Sequence, residues 1–103
     1  MHTINNAALV MLGLLWGRGD FEKTITIAVM GGLDTDCNGA TTGSVFGALV
    51  GCKALPHANW IAPMNDTIGS AVVGSNNSRI TDLARRSLTL ASKVLAEMPA
   101  ARS

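Results

Sequence analysis

The chain has 103 residues, a net charge of +1, 48% hydrophobic and 15% charged residues. One small domain is all that length allows, and a charge balance this close to zero steers it toward neither nucleic acid nor an anionic membrane. Aromatics at 4% leave no base-stacking platform. Charged residues fall well below the usual share of about 25%, so part of the surface is expected to be covered by something else.

Residues 3–16 read as a helix, with Thr3 as its cap and Ile4, Ala7, Ala8, Met11, Leu12 and Leu15 at helical spacing. Leu9, Val10 and Leu14 are apolar as well, so the segment is greasy on most sides. It is too short for the roughly 20 residues that span a bilayer, and it lacks the basic start of a secretion signal. Gly17 and Gly19 end it.

Asp20 caps a second helix over about 21–30, with Phe21, Ile25, Ala28 and Val29 inward. Ile25, Ile27 and Val29 also alternate, which is the pattern of a strand; the Asp cap and the short link favour helix. After Gly31-Gly32-Leu33-Asp34-Thr35-Asp36 a third helix runs from about Cys37 or Asn38 to Gly51. Glycines 39, 43, 47 and 51 share one face of it. Interior glycines cost roughly 0.5–1 kcal/mol each, so the spacing points to close helix packing, with a ligand on that face as the rival explanation.

Residues 52–78 read as irregular, broken by Pro56, Pro63, Gly69 and Gly74. Ser78 caps a last, strongly amphipathic helix over about 79–98, stopped by Pro99. Cys37 and Cys52 would lie roughly 22 Å apart along the third helix at about 1.5 Å per residue. A disulfide needs Cα atoms within about 7 Å. Reduced thiols, and hence a cytoplasmic location, are expected.

Asp34 and Asp36 carry the chemistry. In an extended loop, residues two apart face the same way, so both carboxylates could meet one hard divalent cation. No Lys or Arg lies within ten residues on either side of the pair, and unpaired carboxylates set close together repel. The plainer reading makes Asp36 a helix cap and Asp34 a turn aspartate. His2 and His57 read as surface residues, and Asn38 and Ser44 as helix-start and packing residues. No catalytic residue is assigned, and no organic-cofactor motif is present.

The run Asn5-Asn6 through Gly51, with Gly32-Leu33-Asp34-Thr35-Asp36 at its centre, resembles the ADP-ribosylglycohydrolase family. The stretch from Leu55-Pro56 through Trp60 to the last helix resembles the C-terminal end of that family. The resemblance implies an all-α fold, here about four helices with a long irregular stretch before the last, as a single partial domain over residues 1–103. It also implies a binuclear Mg²⁺ or Mn²⁺ site with Asp34 and Asp36 as metal ligands, and Thr35 orienting the loop. The activity implied is metal-dependent hydrolysis of a glycosidic bond to ADP-ribose.

Cys37 stands where the family often has a ligating threonine. A thiol is a poor match for Mg²⁺. The second acidic cluster of the family has no counterpart, because Asp20, Glu22, Asp66, Asp82 and Glu97 are all isolated. The isolated chain is therefore expected to be inactive. It would need a missing N-terminal partner chain or a homo-oligomer to complete the site and to cover its apolar faces, and only then would it meet an ADP-ribosyl substrate. The alternative is a non-catalytic remnant or interaction module whose loop merely caps a helix.

Overall fold

The computed structural model describes residues 2–99. Four α-helices carry most of it, in the order α1 (Thr3–Trp16), α2 (Phe21–Met30), α3 (Thr35–Val50) and α4 (Ile80–Glu97). Between α3 and α4 come short 3-10 and π turns and two three-residue strands, β1 (Thr67–Gly69) and β2 (Asn77–Arg79). The all-α expectation holds, apart from this small ladder. The chain divides into two compact units at His57/Ala58.

The first unit packs α1, α2 and α3 on one another. The start of α1 is capped by His2, whose Nδ1 accepts from the Ile4 amide at 3.3 Å, and not by Thr3. After Trp16 the chain reverses through two left-handed residues, Arg18 and Gly19. Asp20 then caps α2, its carboxylate accepting from the Lys23 amide at 2.8 Å. That cap decides between helix and strand for residues 21–30 in favour of helix. Ile25 and Val29 share one side of α2 and Ile27 lies roughly opposite; all three are half-buried, as suits a helix packed on both α1 and α3.

The face of α1 expected to be inner lies outside. Ile4, Ala7, Ala8, Met11, Leu12 and Leu15 are exposed, Ile4 at 71% and Leu15 at 60%. The inward side is Asn6, Leu9, Val10, Gly13, Leu14 and Gly17, with both glycines buried. The reason is steric. A β-carbon at Gly13 would sit 2.7 Å from the Thr24 carbonyl oxygen, and one at Gly17 would collide with the Thr24 hydroxyl. Only the glycine side of α1 lets the α2 backbone come this close.

The glycine helix splits in the same way. Gly39 and Gly43 face Val29 and Ile25 of α2 at 3.2 and 3.3 Å, measured from a built β-carbon. Gly47 opens on empty space, and Gly51 ends α3 in a left-handed conformation with φ +81°. Close packing on α2 thus accounts for two of the four. The buried row on α3 is Asn38, Thr42 and Phe46, spaced by four. Phe46 meets Phe21 edge to face, ring centres 5.5 Å apart. Thr24 and Thr42 are fully buried, and the Thr24 hydroxyl has no hydrogen-bond partner among the described residues. This core is small and unusually polar.

In the second unit, β1 and β2 pair antiparallel, with Thr67 opposite Arg79 and Gly69 opposite Asn77. Pairing brings Asp66 to the start of α4. Its carboxylate accepts from the Thr81 amide at 2.9 Å, the Thr81 hydroxyl at 2.7 Å and the Arg79 guanidinium at 3.2 Å. The cap of α4 is therefore Asp66, reached through the ladder, and not Ser78, which lies in β2. Local sequence cannot show a cap supplied from fifteen residues upstream. At the far end Met98 is extended, as a residue before proline must be, and α4 stops at Glu97.

Among the described residues no helix is long and apolar enough to cross a membrane. Both cysteines are free and exposed.

The Asp66 carboxyl is held below its usual range, chiefly by the Thr81 hydroxyl, then by the Thr81 amide and Arg79. Its contribution to stability is therefore complete above the ordinary carboxylate range near pH 4 and is lost as pH falls through the lowered value. In chemical denaturation followed by circular dichroism, Asp66→Asn should be less stable than the parent at pH 7, and the gap should narrow in acid.

Candidate metal centre

The loop between α2 and α3 is short and strained. Gly32 has φ +75°, and its amide donates to the Val29 carbonyl at 3.0 Å. Asp34, at the cap position of α3, is left-handed too, with φ 45° and ψ 55°. That conformation costs an L residue about 1–2 kcal/mol, least for Asp and Asn. The loop is held by a buried amide. Asn38, only 3% exposed, donates through Nδ2 to the Leu33 carbonyl at 2.6 Å and to Asn6 Oδ1 of α1 at 3.4 Å. Its own carbonyl accepts from the Thr42 hydroxyl at 2.7 Å, and its amide donates to the Asp34 carbonyl at 2.9 Å.

Helix α3 starts at Thr35, two residues earlier than the spacing suggested. Asp36 is thus inside the first turn and is not the N-cap. Asp34 holds the cap position, but its side chain makes no capping bond. Asp34 does sit at the left-handed bend before α3, as the turn aspartate of the plainer reading would, but that reading's assignment of Asp36 as the cap fails. So does the premise of an extended loop, although the two carboxylates still converge. One donor atom each from Asp34, Asp36 and Cys37 lies within 4.8 Å of the other two. Asp34 is half-buried, while Asp36 and Cys37 are exposed. No ion pair reaches either aspartate among the described residues. The Cys37 thiol is pushed above its ordinary value first by its hydrogen bond to Asp34, then by the negative charge of Asp34 and of Asp36.

A model of the ADP-ribosylglycohydrolase family matches residues 1–99. The chain belongs to the ADP-ribosylglycohydrolase family. No curated protein and no solved structure matches it. The Asp-Thr-Asp loop through which the sequence resembled this family is thus presented at a helix start, by a domain of the expected helical kind.

For a divalent cation, which the family implies, the donor set is a partial fit. Two carboxylate oxygens suit Mg²⁺ or Mn²⁺, and the first turn of α3 favours negative charge beside it. The thiol does not suit Mg²⁺. Thr35 is the first residue of α3 and exposed. His57 is exposed, away from this cluster, and Ser44 donates to the Ala40 carbonyl on an exposed face. Within the same unit, Asp20 and Glu22 do not join Asp34 and Asp36.

Sequence reasoning missed Asn6 and Asn38 as the pair that positions the loop. The signal was there, in an Asn-Asn within an otherwise apolar helix and a second Asn just after the aspartates. Asn38→Ala should cost about 1–3 kcal/mol, because it leaves the Leu33 carbonyl unpaired. Urea unfolding measures it; a change under about 0.5 kcal/mol, the usual range for a surface substitution, would show that the amide is not holding the loop.

Proposed function

We propose that this chain supplies the Asp34–Asp36 half of a divalent-cation site for ADP-ribosylglycohydrolase chemistry, the hydrolysis of a glycosidic bond to ADP-ribose. The observation that carries the reading is the convergence of the two carboxylates and the Cys37 thiol within 4.8 Å, with no ion pair to either carboxylate among the described residues. Like charges this close are relieved by a bound cation or by protonation, and Mg²⁺ or Mn²⁺ is the hard-ion choice for oxygen donors. When bound, such a cation supplies the positive charge that activates water and polarises the reacting oxygen.

The chain's own residues bind and position. Asp34 and Asp36 provide the oxygens. Asn38 and Asn6 fix the loop against α1 and α3. Two carboxylates do not build the octahedral shell that Mg²⁺ demands. The remaining ligands come from a partner chain or a second copy, and the isolated chain is inactive.

A second reading, that of a non-catalytic oligomeric module, is favoured by one observation. The outer face of α1 exposes Ile4, Met11, Leu12, Leu15 and Trp16, and the helix carries no charged residue. Apolar surface of this kind is normally covered. Sedimentation at tens of micromolar should show self-association that Leu12→Glu/Leu15→Glu abolishes; a parent chain that stays monomeric there removes this reading.

The catalytic reading is tested by calorimetric titration with Mn²⁺. Asp34→Asn/Asp36→Asn should weaken binding at least about tenfold, roughly 1.4 kcal/mol. Turnover of an ADP-ribosylated substrate should appear only when a completing chain is added, and Asp36→Asn should remove it. Equal Mn²⁺ binding by parent and double variant defeats the proposal.

A further inference from the structure

The β1–β2 hairpin and α4 leave a groove between them. Its volume is about 370 Å³, at the small end of the roughly 300–1,000 Å³ of small-molecule pockets, and one side is open to solvent. Ile68, Val72, Leu83 and Leu90 form its apolar lining. Val72 and Leu90 are each 62% exposed, so aliphatic surface lies wet here. The hairpin wall is built in advance of any ligand. Gly74, with φ +82°, turns residues 70–76. The Ser70 hydroxyl donates to the Ser75 carbonyl at 3.0 Å and accepts from the Val72 amide at 3.1 Å. The Ser78 hydroxyl donates to the same carbonyl at 3.4 Å, so both serines are committed to the wall.

Across the groove, Arg86 and Ser87 of α4 are not committed. Arg85 pairs with Asp82 at 3.3 Å, and the Thr89 and Ser92 hydroxyls turn back onto carbonyls of their own helix. Among the described residues the Arg86 guanidinium has no ion pair and the Ser87 hydroxyl no hydrogen bond. Neither an acidic nor an aromatic residue lines the groove among the described residues. A flat base therefore finds no ring to stack on, while an anion finds a free fork of donors. An exposed ion pair holds a ligand poorly by itself, so the ligand must also cover the aliphatic lining. We propose that this groove binds a small aliphatic carboxylate, its anion on Arg86 and Ser87 and its chain along Ile68, Val72, Leu83 and Leu90. The site lies wholly within the second unit and uses neither aspartate of the cation reading.

The test titrates octanoate into the full chain and follows methyl and amide resonances by NMR. Saturable one-to-one shifts should centre on Ile68, Val72, Leu83 and Leu90. Butanoate should bind at least about tenfold more weakly, because it covers less of the lining. Arg86→Gln should weaken octanoate at least about threefold and leave the affinity of neutral octanol within about twofold. Arg86 is exposed, so the variant should fold, and circular dichroism checks that α4 is intact. Octanoate affinity unchanged in Arg86→Gln overturns the proposal, as do shifts concentrated on the outer face of α1 at Leu12 and Leu15. Absence of saturable octanoate binding by the parent chain overturns it as well.

Discussion

A single buried amide holds the loop that carries the two aspartates. Asn38 reaches from α3 to the Leu33 carbonyl, and across to Asn6 on α1. Those two bonds tie the start of α3 to the end of the loop and the loop to the first helix. An amide this deeply buried is costly unless its bonds are made. The left-handed turn at Asp34 is held by its surroundings because the alternative leaves Asn38 or Leu33 unpaired. The two aspartates converge as a consequence of that restraint, and not through any bond between them.

The same three-helix unit is unusual in what it buries. Ala28 and Phe46 are its fully buried apolar residues, beside Thr24, Asn38 and Thr42. Glycines at positions 13 and 17 of α1 and 39 and 43 of α3 let backbones and β-carbons do the packing that large side chains do elsewhere. The large side chains are consequently left on the surface, Ile4, Met11 and Leu15 on α1 and Leu49 on α3 among them. A domain arranged this way is suited to being covered, and the proposed half-site needs further ligands from a covering chain. The two requirements agree with each other.

Helix positions were largely legible beforehand, because they rest on local rules. Asp20 before an apolar-striped run, Pro99 after an amphipathic one and Gly51 at the end of the third helix mark boundaries that neighbouring residues set. The start of α4 was legible to within one residue, but its cap was not, and α3 starts two residues earlier than expected. Asp34 holds the cap position of α3 without capping it, and Asp66 caps α4 from across a ladder no local pattern announces. The inner face of α1 was also misread. On a helix apolar nearly all round, hydrophobic periodicity carries no direction, and the glycines that do carry it look like the absence of a signal.

What the sequence by itself determined is the chemistry on offer: an Asp-Thr-Asp element ahead of a glycine-spaced helix, no compensating cation nearby, and membership of the ADP-ribosylglycohydrolase family. Only the tertiary structure decided that Asp36 lies within the helix, that Asn38 and Asn6 hold the loop, and that Cys37 closes the cluster. The physical reason is range. Residue types and short spacings are properties of neighbours along the chain. A buried amide's partners, and the direction in which three donors point, depend on how helices 32 residues apart in sequence meet.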